Sequence, residues 1–135
     1  MRAIVLWGSM IFGTTLWASA MAGGLGSVTV RSMLGQPLVA DIELVVHDKL
    51  ELEGLSARVA SADAHRKANI PYAVTAVGLR ANIQTGRYGR RFVRIESVQP
   101  ITEPTVKLLI ELTGSGSQTL REYNLLLEPP ELRRQ

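Results

Sequence analysis

The sequence contains no cysteine. That excludes a disulfide scaffold, thiol catalysis, a Cys-ligated zinc site and a cysteine-anchored lipoprotein. Histidine is nearly as scarce, at two residues, so a His-rich metal cage is not expected. Aromatic residues make up 5% of the chain, and both tryptophans, Trp7 and Trp17, fall in its first twenty residues. Charge of one sign is also lacking: 15 Lys+Arg against 12 Asp+Glu leave a net +3, too little to argue for nucleic acid. What is present is ample apolar material. A 46% hydrophobic content with this small net charge excludes disorder. The 135 residues allow one domain with an ordinary core and hardly two.

The first segment reads as an export address. Met1-Arg2 is a short basic start, and Ala3 to Leu16 is uncharged and mostly apolar. Ala18-Ser19-Ala20 and Ala20-Met21-Ala22 both fit the small-x-small cleavage pattern. Residues 1–22 are therefore expected to be a secretory signal peptide, with Ala20 as the second choice of cleavage point. An uncleaved anchor competes with this, since no charge separates Arg2 from Arg31. The apolar run is short for a span and is broken at Gly8, Gly13 and Thr14-Thr15. No second apolar run of membrane length follows, so no membrane span is expected after cleavage.

The rest of the chain alternates. Leu38, Ala40, Ile42, Leu44 and Val46 interleave with Val39, Asp41, Glu43 and Val45, which is the period of a strand with one buried face. Val28 and Val30 behave likewise, and Gly35-Gln36-Pro37 marks a turn between the two runs. Leu79, Ala81 and Ile83 predict a strand; so do Arg91, Val93 and Ile95, with Gly86-Arg87-Tyr88-Gly89 as the turn between them. Val106, Leu108, Ile110 and Leu112 predict another, joined through Gly114-Ser115-Gly116-Ser117 to a partner over Gln118 to Leu127. Leu55, Ala57 and Val59 suggest a shorter one. One helix is expected, capped by Ser61, with Asp63 in its first turn and Arg66 and Lys67 in its last. Asn69 and Pro71 close it. A further short turn is expected over His47 to Gly54. Roughly seven strands and one short helix argue for an all-β, immunoglobulin-like sandwich, although the Cys–Trp–Cys hallmark is missing.

The ordered pieces carry a resemblance. They are Gly24-Leu25-Gly26, Ser32-Met33-Leu34-Gly35-Gln36-Pro37-Leu38, Ala40-Asp41-Ile42-Glu43-Leu44 and Leu55 to Ser61 with the helix after it. Near the end stand Gln99-Pro100, Glu103-Pro104, Leu108 to Leu112, Arg121-Glu122-Tyr123 and Leu127-Glu128-Pro129-Pro130. In this order and spacing, the region from Gly23 to Pro130 resembles the N-terminal domain of the FimV/TspA family of bacterial pilus-assembly proteins. Residues 23–131 are then the domain and 132–135 a short polar tail. The resemblance implies a periplasmic location in a Gram-negative bacterium and a non-enzymatic scaffold role. It points to type IV pilus secretin assembly, twitching motility and organisation of the cell pole, with an envelope or pilus-machinery protein as partner. Family members continue into a LysM peptidoglycan-binding module, a membrane helix and a cytoplasmic region. The sequence in hand stops at Gln135, so those functions are not carried over. It is expected to be a stand-alone relative or a truncated reading of a longer gene.

Five arginines lie within fifteen residues: Arg80, Arg87, Arg90, Arg91 and Arg94. Arg87, Arg90, Arg80, Arg94 and Tyr88 form the candidate contact for an acidic partner. The competing reading is a solvated hairpin whose arginines pair with carboxylates. Alternation places Arg80 and Arg94 on the polar faces and Arg91 in register with buried Val93. Tyr88 and Phe92 are too few for a nucleic-acid stacking platform. His47 and His65 read as surface histidines, Glu43 as a solvated or cross-strand paired carboxylate. No serine stands in a nucleophile elbow, and Gly114 to Ser117 lacks the lysine of a phosphate loop. Catalytic residues, cofactors and metal ligands are all expected to be absent. A carbohydrate-binding module for peptidoglycan is the alternative function, weakened by the scarcity of aromatics.

Overall fold

The computed structural model describes residues 24–45, 54–72, 77–114 and 117–133. The signal segment, Val46, His47 and most of the expected turn before Gly54 lie outside the described residues, as do Ser115 and Gly116. Seven strands are present among the described residues: β1 Gly24–Val30, β2 Pro37–Val45, β3 Ser56–Val59, β4 Leu79–Thr85, β5 Arg91–Pro100, β6 Thr105–Gly114 and β7 Ser117–Leu126. Helix α1, Ala62–Lys67, lies between β3 and β4, and a single turn α2, Pro130–Arg133, follows β7.

The strands form two antiparallel sheets, ordered β1-β2-β5-β4 and β3-β6-β7. This four-plus-three arrangement is the constant-type immunoglobulin topology. The period-two residues become the filling. Leu38, Ala40 and Ile42 from β2, Val93 and Ile95 from β5, and Leu108, Ile110 and Leu125 from β6 and β7 form one buried cluster. Of these, Leu38, Ile42, Ile95, Leu108, Ile110 and Leu125 rank among the largest side chains with no appreciable exposure.

Two irregularities adjust the sheet that carries the site. Leu25 and Val28 are three apart, yet both pack against the core. The register of β1 against β2 shifts between them, which is how a bulge turns both inward. Gly26 sits in that bulge, where an added Cβ would lie 2.8 Å from Glu43 Oε1 and 3.3 Å from Glu43 O. The bulge carbonyls are taken by β7: Tyr123 Oη donates to Gly26 O at 2.6 Å, and Arg121 donates to Leu25 O. The second shift lies between Pro37 and Val39 on β2. Ser97 Oγ accepts the Leu38 N–H there at 2.8 Å and donates to Gln99 O at 2.7 Å.

The helix is built from its caps. Ser61 Oγ accepts from Ala64 N at 3.1 Å, and Asn69 closes the helix with φ 65°. Its packing overturns one sequence expectation. His65 is not a surface residue; it is completely buried. Its Nδ1 lies 2.9 Å from Ser61 O, and its Nε2 accepts the Leu109 N–H at 3.0 Å. The Nδ1–H therefore donates to the carbonyl, and both ring nitrogens are satisfied. Tyr72 stands edge-on to the ring at 4.9 Å. The reason for the burial is tertiary. Leu109 points away from the main core, and Ala60, Ala64 and Ile70 close over it to form a second small cluster.

A basic groove at the tip of one hairpin

The outward face of the four-stranded sheet is read across the strands. Register places Asp41 of β2 opposite Thr29 of β1 and Arg94 of β5, which itself faces Asn82 of β4. One step toward the β4–β5 turn, Glu43 faces Phe92, and Phe92 faces Gln84. One step the other way, Val39 faces Glu96, and Glu96 faces Arg80.

Asp41 is the fixed charge of this face. Its side chain is only 10% exposed. Arg94 Nε donates to Oδ1 at 2.8 Å and Arg94 Nη2 to Oδ2 at 3.0 Å, a bidentate pair. Arg31 Nε donates to Oδ2 from the other side. Burial alone would raise the Asp41 pKa, but the bonds from Arg94 and Arg31 outweigh it and hold the carboxyl below its ordinary value of 3.8. The Arg94 guanidinium also lies 5.1 Å from the centre of the Phe92 ring, within cation–π range.

The hairpin tip is a tight turn, Arg87–Gly89, closed by Gly86 N donating to Arg90 O at 2.6 Å and Arg90 N to Arg87 O at 3.2 Å. Gly89 takes φ 72° at no steric expense. Tyr88 takes φ 59° and ψ 28°, where a bulky side chain is uncommon. The residue is 96% exposed. Gly86 leaves room for the neighbouring ring: a Cβ there would meet Phe92 Cε1 at 3.0 Å.

An open groove of about 820 Å³ runs from this tip across the sheet face. Arg87, Tyr88, Arg90 and Arg91 line its mouth; Phe92, Arg94, Asp41, Glu43 and Arg31 line its body, with Ser27 and Thr29 along β1. Four of the five sequence-selected contact residues thus bear on one place: Arg87, Tyr88, Arg90 and Arg94. Arg80 does not join them. It lies at the far end of the hairpin opposite Glu96 and lines a separate, smaller groove with Pro37, Val39 and Val98. Arg91 is an addition. Its in-register neighbours Val93 and Ile95 are buried, but Arg91 opens the strand at the sandwich rim and is exposed. Strand position relative to the turn carried that signal; alternation alone did not.

The second sheet presents a different outward face. Glu111 of β6 is buried although it alternates with core residues. Arg58 Nη2 pairs with Glu111 Oε2 at 3.1 Å, and Thr113 Oγ1 donates to the same oxygen at 3.1 Å. Burial would raise the Glu111 pKa; Arg58, Gln118 and Thr113 together bring it below its ordinary 4.5.

Two sheets in this strand order, with a basic groove at the β4–β5 tip, define an immunoglobulin-like sandwich whose surface chemistry is concentrated at one hairpin. Its sequence matches the model of the FimV N-terminal Ig-like domain over residues 23–130. The motility hub protein FimV of Pseudomonas aeruginosa, in each of two strains, is 31% identical over 122 residues, which is 89% of this chain. The chain belongs to the FimV N-terminal domain family. It spans about 13% of the length of those curated relatives. No solved structure matches the chain.

Proposed function

We propose that this chain is a non-enzymatic, periplasmic protein-interaction module, linked to type IV pilus and secretin assembly, twitching motility or organisation of the cell pole. Membership of the FimV N-terminal family supports the motility link, since the relatives are named as motility hub proteins. The signal-like segment 1–22 supports export by a cleaved signal peptide. Among the described residues no helix is long and apolar enough to cross a membrane. The observation that carries an interaction role is the hairpin tip. A tyrosine held almost wholly in solvent on left-handed backbone, ringed by arginines, has no folding purpose evident in its contacts. Tyr and Arg are the side chains that most often anchor protein interfaces.

The test is capture of partners by chemical cross-linking in Gram-negative envelope extracts with the full chain. Enrichment of a secretin-associated component is expected. The double change Arg87→Glu/Arg90→Glu should abolish that enrichment while leaving Tm within a few degrees, because both residues are exposed at a turn. Undiminished enrichment by the double variant would move the contact to another face.

A further inference from the structure

We infer that the groove holds an extended acidic segment of a partner protein, its carboxylates bridged by Arg87, Arg90 and Arg91 and one apolar side chain seated on Tyr88. This rests on the interaction role proposed above and names the chemistry that role would use. The structure sorts the arginines of this face into two sets. Arg31 and Arg94 are committed to Asp41. Arg87, Arg90 and Arg91 make no ion pair among the described residues, and all three line the mouth of one groove. Asp41 is taken by Arg31 and Arg94, and Glu43 makes no ion pair with the three, so three guanidinium forks lining one groove present donors that suit a partner's carboxylates bidentately.

The choice of a peptide over other anions follows from the shape and the rings. The groove is open and lined from β1, β2 and β5, which leaves room for an extended chain and does not enclose a single anion. Hydroxyls of Ser27 and Thr29 lie along it and can bond a peptide backbone. A glycan would need an exposed ring face to stack on, but Arg94 sits over Phe92 and only Tyr88 is open. Tyr88 suits an anchor role because its ring is already projected. The strain of its left-handed backbone is borne in the free protein, so little ordering remains to be done on binding.

The experiment is fluorescence anisotropy of the full chain with a labelled synthetic peptide of alternating glutamate and serine around one leucine. The same peptide with lysine for glutamate, a heparin oligosaccharide and inorganic phosphate serve as competitors. The glutamate peptide should bind, and binding should weaken steeply as the Debye length shortens from about 10 Å at 0.1 M salt to about 3 Å at 1 M. Arg87→Glu/Arg90→Glu should weaken it more than about tenfold, and Lys107→Glu, exposed on the other sheet, should leave it unchanged. Tyr88→Asn should weaken binding while Tm holds or rises, since Asn accepts this backbone more readily. Asp41→Asn should do the opposite on both readouts: it loosens the hold on Arg94 within the groove, so affinity should rise as Tm falls.

Peptide binding indifferent to all of these changes would overturn the inference. So would displacement of the peptide by the heparin oligosaccharide or by phosphate at lower concentration than by unlabelled peptide. A peptide that does not bind, beside envelope capture that Arg87→Glu/Arg90→Glu still abolishes, would sink the acidic chemistry and leave the interaction role standing. Loss of both would remove the role itself.

Discussion

The two outward faces of the sandwich start from similar sequence material and end differently. Each belongs to an antiparallel sheet whose inner side fills the same core. Each carries one carboxylate that is buried and held by arginine: Asp41 on the four-stranded sheet, Glu111 on the three-stranded sheet. The three-stranded face is covered in part, at Leu109. Helix α1 lays His65 over Leu109, and Ala60 and Ile70 finish the seal. The four-stranded face is left bare, and its hairpin tip pushes Tyr88 into solvent. Leu109, an apolar outward residue at mid-strand, is buried under the helix. The four-stranded face, where Arg94, Thr29 and Asn82 stand beside Val39, Glu43 and Phe92, stays open to water or to a partner.

The largest way to break this comparison is to remove what the two faces share. Ile42 and Ile110 are fully buried, one from each sheet. Truncation of either to Ala should cost about 2–5 kcal/mol in chemical unfolding, and both faces should be lost together. Lys107→Ala, pointing outward from the same strand as Ile110, should change stability by less than about 0.5 kcal/mol. Similar small losses at all three positions would contradict the register, because a one-residue slip exchanges the faces.

The next largest effect separates the faces. His65→Leu keeps an apolar body over Leu109 but leaves the Leu109 N–H and the Ser61 carbonyl short of a side-chain partner. That should cost about 1–3 kcal/mol, as an unsatisfied buried donor does. Hydrogen exchange should quicken at α1 and the middle of β6 and stay unchanged at the β4–β5 tip. Quickening at the tip as well would mean that the two faces open as one unit.

Much of this architecture was legible in the residues. Strand periods, the Gly35 turn and the Ser61 and Asn69 caps are local signals, and local geometry honours them: Gly35 takes φ 91°, and Ser61 bonds the helix as an N-cap should. The burial of His65 was not legible from its own neighbourhood. A six-residue helix carrying Asp63, Arg66 and Lys67 shows too short an apolar stripe. A signal did exist one strand away. Leu108-Leu109-Ile110 is an unbroken apolar run inside an alternating strand, and such a run means that both faces are covered. The arginine groove was legible as a cluster but not in its parts. Which cation meets Asp41 depends on the register of three strands, and the separation of Arg80 from the tip depends on the length of the hairpin.

The finest test compares the two buried carboxylates. Both have pKa values lowered by folding, so each contributes stability that is present above its unfolded pKa and lost as pH falls through its folded one. Acid unfolding should therefore steepen below the ordinary values of 3.8 for Asp41 and 4.5 for Glu111. Asp41→Asn should lower stability at neutral pH by about 1–2 kcal/mol, and the gap from the parent should close as pH falls and the parent carboxylate takes up its proton. Glu111→Gln should show the same convergence with a smaller gap, under about 1 kcal/mol. The reason is the partner. Arg58 has a side chain 70% exposed, so its pairing is screened by water, whereas Arg94 is 27% exposed and grips Asp41 with two bonds. Denaturant titrations of the two variants across the acid range measure both gaps. A larger gap for Glu111→Gln would mean that the covered face, not the open one, relies more on its ion pair.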